Sequence, residues 1–464
     1  MASVTTYDFI VVGSGSSGGV LAGLLQRAGA KCLLIEAGKH LTADTYPPNE
    51  ADYCAQMFWG GGIEYDTRCL MGFLRGKCVG GGSVVNQALQ DRFDEIALED
   101  WKAQSGVSYF TPEGMDSYYT AAENGVVLQT LPPEQRNRSA QLFIRGLDHA
   151  EVGWAALRRG QCDCGVEQGN DCIACLGGCH RDSKQSTLVA FIQPSLKEGL
   201  ELVSEFFVER VEHSASGVKV HGHNGSGPKT YETKKCILAG GSFGTTQILL
   251  KSGFAGRLPA LGKGFSMHPQ YMSFAEFEEP VDAHKGAFQT VKSSDKGLRK
   301  KGYKLENVYA PPVSIAMLYR RGGVDLQRFM KRYRHYACVE VAVRDEATGE
   351  LSVDRKGKLQ VKKEITAQDA ARRDDGLELV RSVFEAVGAK SMFQSPMYFG
   401  LHLMGGCAIG TDAQTSVVNP AFQVHGCDNL YTADTSIFPN APGINPALTV
   451  MALAYKLGQE LVKG

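Results

Sequence analysis

The run Tyr7-Asp8-Phe9-Ile10-Val11-Val12 passes directly into Gly13-Ser14-Gly15-Ser16-Ser17-Gly18-Gly19 and then into a helical stretch ending near Gly29. No other stretch narrows the fold so far. The β-branched run predicts a buried parallel strand, Val20 to Arg27 a helix, and Cys32-Leu33-Leu34-Ile35 a second strand ending on Glu36. This is G-x-G-x-x-G in its required setting of strand, turn and helix. The acid follows 23 positions after the first glycine, where about 20 is usual. Gly13 makes the turn, Gly15 lets backbone approach a pyrophosphate, and Gly18 lets helix pack on strand. Ser16 and Ser17 fill the loop between them, and Glu36 is placed to hold ribose hydroxyls. The motif fits NAD and FAD alike.

A second glycine-dense loop tips the balance toward a flavin. It reads Arg75-Gly76-Lys77-Cys78-Val79-Gly80-Gly81-Gly82-Ser83-Val84-Val85-Asn86-Gln87. A nicotinamide enzyme has no obvious use for another phosphate-grade loop here, whereas a flavin has a ring to be gripped as well as a diphosphate. Gly80, Gly82, Ser83 and Asn86 are its candidate cofactor contacts. Lys235 to Gly241 repeats the strand and glycine turn, with Ala239 and Gly240 at the turn and a helix expected over Thr245 to Ser252.

Composition excludes some alternatives. With 49 Lys+Arg against 50 Asp+Glu the net charge is −1, so no electrostatic footprint for nucleic acid exists. The length of 464 residues suits two intimately joined domains. Neither a signal peptide nor an apolar run of about 20 residues is present, and the expectation is a cytoplasmic protein without a transmembrane segment.

Near the C-terminus, Ala441-Pro442-Gly443-Ile444-Asn445-Pro446-Ala447 precedes an apolar-periodic helix expected over Ala447 to Val462. Asn445 reads as its N-cap and Pro446 as its first residue. A helix N-terminus so placed accepts negative charge, and the expectation is that it faces an electron-accepting ring.

Taken together, these blocks resemble the glucose–methanol–choline oxidoreductase family, and its cholesterol-oxidase-like branch in particular. They are Val12 to Gly18 with Glu36, Gly80 to Asn86, Ile237-Leu238-Ala239-Gly240-Gly241, and His402-Leu403-Met404-Gly405-Gly406-Cys407 through Leu430-Tyr431-Thr432-Ala433-Asp434 to Asn445-Pro446. The resemblance implies an FAD-dependent enzyme that oxidises an alcohol to a carbonyl. His402 corresponds to the family's active-site histidine and Asn445 to its partner beside the flavin. Asp434 corresponds to the acid near the FAD diphosphate and ribityl, and Val208 to the strand residue whose backbone reads adenine. His268 falls where relatives carry a His-Pro at the domain crossover. The Gly80 to Asn86 loop has no histidine to tether FAD, so the cofactor is expected to be non-covalent.

The chemistry agrees. Alcohol oxidation removes an O–H proton and a C–H hydride, and histidine suits the first task as a base. Flavin N5 takes the hydride, and the Asn445 amide can donate to the substrate oxygen. A rival, His425, lies in an expected turn, Val424 to Asp428, where a solvated surface is its expected state.

Five of the 13 cysteines fall between Cys162 and Cys179, with C-x2-C-x3-C at Cys172, Cys175 and Cys179. A thiolate-rich set selects iron–sulfur or zinc. The metal expectation rests on Cys164, Cys172, Cys175 and Cys179, with Cys162 or His180 as substitutes; a reduced, metal-free knuckle or a local disulfide is the alternative.

From Gly264 the glycine loops stop. Val313 to Tyr319 reads as a strand, Tyr336 to Val343 as an alternating strand, Glu346 to Gly349 as a hairpin turn before Leu351 to Val353, and Thr366 to Val387 as an amphipathic helix. The charged runs Lys296 to Gly302 and Arg328 to Arg334 read as solvated faces. The expected class is α/β: a discontinuous, doubly wound Rossmann-type FAD domain at 1–265 and 400–464, with a Cys-rich insertion at 160–182 and an antiparallel-sheet substrate domain at 266–399. The expected substrate is a small-molecule alcohol, bulky or apolar. Two other classes stay open: a non-redox FAD-dependent isomerase, and an electron-transfer subunit built on the cysteine-rich centre.

Overall fold

The structure is a computed structural model and describes residues 6–165 and 172–463. Thr6–Val12 lies in the middle of a seven-stranded sheet, parallel to Cys32–Ile35 on one side and to Gly227–Leu238 on the other. Glu201–Val203 extends the sheet beyond Cys32–Ile35, and Leu430–Thr432 pairs in parallel with Cys236 to Leu238. Gly227–Leu238 has two characters. Its polar first half runs antiparallel to Gly217–Asn224, and its apolar end, Cys236-Ile237-Leu238, is fully buried among parallel strands. The helix Gly18–Arg27 covers the sheet, and the C-terminal helix Ala447–Lys463 packs on it, with Gly458 lying against Leu21 and Leu24.

The second sheet has ten strands. Across it run Ser391–Met404, Lys263–Glu276, Tyr336–Val343, Tyr303–Asn307 and Val291–Ser293, all antiparallel, with Trp154–Ala156 at the far edge. The borders expected at 265/266 and 399/400 fall inside Lys263–Glu276 and Ser391–Met404. The helix Ala367–Glu385 covers one face. Thr366 caps it in a box with Asp369, and Val380, Val383 and Phe384 are buried beneath it. A side chain on its Gly376 would strike Val341 at 2.5 Å and approach Tyr303 at 3.2 Å, so these residues face the helix. Alternation along the strands then turns Lys304, Glu306, Glu340, Ala342 and Gln270 to the opposite face.

Several expectations need correction. Pro312–Tyr319 is a helix, not a strand: Pro312 opens it, and the Glu50 carboxylate accepts from the Val313 and Ser314 amides. Apolar periodicity over so short a run does not separate the two states. Tyr336–Val343 is buried at every position, because a helix covers one face and a buried polar face lies on the other. Gly349–Val353 pairs with Leu359–Lys362 and with Lys263 and Phe265, so it does not return as a hairpin onto Tyr336–Val343. The helix Gly241–Lys251 starts four residues before Thr245. Lys296–Lys301 is not wholly a solvated face, since Arg299 is buried.

Candidate active site

The two glycine loops are tied by one hydrogen-bond knot. Gly80 N–H donates to Ser14 Oγ at 2.9 Å, and Ser83 Oγ donates to Gly80 O at 2.6 Å. Ser83 Oγ also lies 2.9 Å from Thr187 Oγ1, which donates to Ser14 O. Gly81, at φ +53°, sits so close that a Cβ there would lie 2.8 Å from Gly15 Cα. Glu36 locks the first loop: one carboxylate oxygen accepts from Ser14 N–H and Oγ–H, the other from Gly38 N–H. Burial pushes its proton affinity up, against the pull of Ser14. Thr187 carried no cofactor expectation; it lies in the segment after the cysteines, and only the fold brings it here.

These loops fit FAD. A Cβ on Gly15 or Gly82 would meet no protein atom within 4 Å, so both face open space. The Ser17 hydroxyl is buried with no partner. Asp434 accepts from Gly241 N–H and Thr245 Oγ–H through one oxygen and from Ser436 N–H through the other, joining the turn at Ala239 and Gly240 to the C-terminal block. Val208 lies buried in Phe207–Ser214, opposite Gly222. Asn86 turns inward on its own loop, its Oδ1 accepting from Ala88 N–H. A separate groove of about 520 Å³ opens beside Gly38, lined by Lys39, Trp59, Lys77 and Phe207.

His402 occupies a β-bulge. Between the pairs Ser266 with Met404 and His268 with Leu401, two residues oppose one, and His402 takes φ +55° there. For a residue with a Cβ that conformation costs about 1–2 kcal/mol, and the bulge re-aims its side chain. His402 Nδ1 lies 3.0 Å from His268 Nδ1, and Gly443 N–H donates to His268 Nε2 at 2.8 Å. That donor settles the protonation of the pair. His268 Nε2 must be bare, so the neutral His268 carries its proton on Nδ1 and donates it to His402 Nδ1. Neutral His402 then carries its proton on Nε2. Burial, then the Lys304 charge, lowers His402 from 6.5 to about 3. Burial, the His402 ring beside it and the charges of Lys304 and Arg299 hold His268 well below its ordinary range. Both rings are therefore neutral at ordinary pH.

The segment that seats His268 is itself held by arginines. Arg344 Nε donates to Ala441 O at 2.8 Å, and Arg299 donates to Pro442 O and Gly443 O at 2.9 and 3.0 Å while paired with Asp94. Asn445 departs from expectation. The C-terminal helix begins at Ala447, and Pro446 O accepts its first hydrogen bond from Val450 N–H, so the cap position is Pro446. Asn445 Oδ1 instead accepts from Lys304 Nζ at 3.0 Å, and its Nδ2 donates to Glu306 at 3.3 Å. Lys304 and Glu306 form a buried ion pair, and Gln289 donates to both Glu306 and Glu340. Burial, then the Glu306 charge, pushes Glu340 well above the carboxylate range, so it is protonated. Neither Lys304 nor Glu306 carried a sequence signal beyond ordinary alternation in a strand.

Among the described residues no group of three His, Cys, Asp or Glu is placed to hold a metal ion. The iron–sulfur or zinc expectation gains no support, and the Cys172 side chain lies outside the described ones. Cys162, Cys175 and Cys179 form no disulfide. Just after the segment the Lys184 ammonium donates to Val84 O, Asn86 O and Cys175 O at 2.6–2.7 Å. His180 Nδ1 lies 3.0 Å from Ala43 O. His425 is part-exposed, with Nε2 2.8 Å from Ser416 Oγ, away from the His268–His402 pair. No helix among the described residues is long and apolar enough to cross a membrane.

Compared with known proteins, residues 7–270 match the GMC oxidoreductase family's N-terminal part and residues 310–454 its C-terminal part. The chain is 26% identical over 491 residues to an uncharacterised GMC-type oxidoreductase of Sinorhizobium fredii, covering 97% of this chain and 94% of that one. It is 25% identical over 522 residues to a long-chain-alcohol oxidase of Arabidopsis thaliana, covering 98% and 68%. Its fold is similar to that of pyridoxine 4-oxidase from Mesorbium loti, with TM-score 0.78, 16% identity, and 98% and 99% of the two chains covered.

Proposed function

The chain belongs to the GMC oxidoreductase family and is an FAD-dependent oxidoreductase of alcohols; from that premise we propose that His402 handles the hydroxyl proton of the substrate, with Asn445 beside it. Bound FAD supplies the acceptor for the hydride that leaves the carbinol carbon. The loops Gly13 to Gly18 and Gly80 to Asn86, with Glu36, Val208, Ala239, Gly240, Asp434, Asn445 and Pro446, hold that cofactor without a covalent link.

The observation that carries the reading is the His402–His268–Gly443 chain. In its resting form His402 Nε2–H donates to the substrate oxygen and orients it. Taking the alcohol's proton at Nε2 requires the other tautomer, with His402 Nδ1–H donating to His268 and a proton on His268 Nε2. That form gives up the Gly443 hydrogen bond, at a cost of about 1–3 kcal/mol. It therefore keeps a population of roughly 1–15%, and His402 remains usable as a base. Asn445 has a second N–H beyond the one given to Glu306, and this donates to the same oxygen.

Anaerobic mixing of the FAD-bound protein with alcohols tests the proposal. Bleaching of the flavin band in wild type and its collapse in His402→Gln is the expected result. Bleaching that persists undiminished in His402→Gln would remove His402 from the reaction.

A further inference from the structure

We infer that the substrate is a small, uncharged, multiply hydroxylated alcohol, seated on a polar floor made by Gln270, Lys304, Glu306 and Glu340. The inference rests on the alcohol-oxidation reading and names its substrate class. All four side chains are buried, and strand alternation places them on the face turned away from the covering helix. Lys304 and Glu306 reach Asn445 from that face.

A buried ion pair is weak support for stability, since apolar residues of like size often do as well. Here it presents polar groups beside Asn445. Ala342 stands between Gln270 and Lys304 in the cross-strand row. Two strand spacings separate that pair by about 10 Å, and only a methyl group rises between them. The width suits one small ring or a short polyol chain. Gln270 Oε1 is buried with no partner, which costs about 1–3 kcal/mol until a donor arrives. A substrate hydroxyl is such a donor. Two N–H groups of Lys304 go to Glu306 and Asn445, and the third remains to donate to a second hydroxyl oxygen.

Charge completes the case. Lys304 cancels Glu306, and the protonated Glu340 adds none. An anionic or cationic substrate would meet no surplus counter-charge on this floor, and a long alkyl chain would strip water from groups it cannot pair.

The test uses FAD-bound enzyme and anaerobic stopped-flow reduction with six-carbon probes: myo-inositol, sorbitol and glucose against 1-hexanol and gluconate. At least one neutral polyol is expected to exceed 1-hexanol and gluconate tenfold in second-order rate constant. Gln270→Leu, and the charge-free double variant Lys304→Met with Glu306→Gln, are each expected to lower the polyol-to-hexanol ratio at least tenfold; FAD content and melting temperature report folding. Preference for 1-hexanol or gluconate in wild type, or an unchanged ratio in Gln270→Leu, overturns the inference while leaving alcohol oxidation standing. Absence of bleaching by every probe and by simple primary and aromatic alcohols overturns both.

Discussion

His268 Nδ1 lies 3.0 Å from His402 Nδ1, although the two residues are 134 positions apart in sequence. The contact joins the first strand of one antiparallel pair to a bulge in its partner, and Gly443 from the C-terminal block completes it. Everything that can be said about His402 as an acid or base passes through this relationship.

Its first consequence is a hierarchy of variants. If His402 meets the substrate oxygen as proposed, His402→Gln is expected to slow flavin reduction by about 10²–10⁴. His268→Gln removes only what holds His402, a hydrogen bond worth about 1 kcal/mol, and is expected to slow it by about tenfold or less. Imidazole ¹⁵N NMR of wild type is expected to show His402 protonated on Nε2 and bare on Nδ1. The reverse assignment would contradict the anchoring by Gly443.

The second consequence concerns acid stability. Burial and Lys304 take His402 from 6.5 to about 3. Between those values the unfolded ring binds a proton that the folded ring does not, so stability falls as pH drops below 6.5. At pH 4.5 one such ring accounts for about 2–3 kcal/mol. Urea unfolding of wild type and His402→Gln at pH 7 and 4.5 is the measurement. Wild type is expected to lose about 2–3 kcal/mol more than the variant over that interval, because other titrating groups are common to both.

What was legible in the chain follows from how local the cause is. The Gly13 to Gly18 turn and Glu36 are set by neighbours a few residues away, and the structure has the strand, turn, helix and second strand where the spacing predicts. His402 and Asn445 are marked by motifs, whereas the contacts that surround them in the fold are not. His268 stands out in the sequence only as part of a His-Pro, and its contact with His402 depends on a bulge; Lys304 and Glu306 are distinguished only by the face their strand turns to Asn445. Pro312–Tyr319 failed for the same reason, since its helix is fixed by Glu50, more than 260 positions away. The cysteine spacing suggested a metal, whereas the fold threads the Lys184 ammonium into that segment.

Two glycines of the first loop separate cofactor binding from folding. A Cβ on Gly18 would lie 1.9 Å from Gly13 O, whereas one on Gly15 would meet no protein atom within 4 Å. Gly18→Ala must therefore shift the turn or the helix, with destabilisation of about 1–3 kcal/mol or more. Gly15→Ala is expected to melt within about 2 °C of wild type as apoprotein, since nothing is displaced. Its FAD affinity, read by fluorescence titration, is expected to fall at least tenfold as the methyl enters the cradle.

The cysteine segment supplies a prediction that needs no metal. Cys179 accepts a hydrogen bond from Cys175, and this, ahead of backbone donors and the Lys184 charge, brings it down to about 5; Cys175 is raised well above its ordinary value by the same bond and by burial. Cys179 is part-exposed, and Cys175 is buried. A thiolate is the nucleophile toward alkylating agents, and exposure decides which thiolate reacts. At pH 6 Cys179 is therefore expected to be carbamidomethylated by iodoacetamide before the other cysteines in the described residues, as read by peptide mass spectrometry. Cys175→Ala deletes the donor that holds the negative charge, so labelling of Cys179 at pH 6 is expected to slow at least fivefold, while at pH 9 the two proteins converge. Equal rates at pH 6 would mean that Cys175 does not stabilise the thiolate.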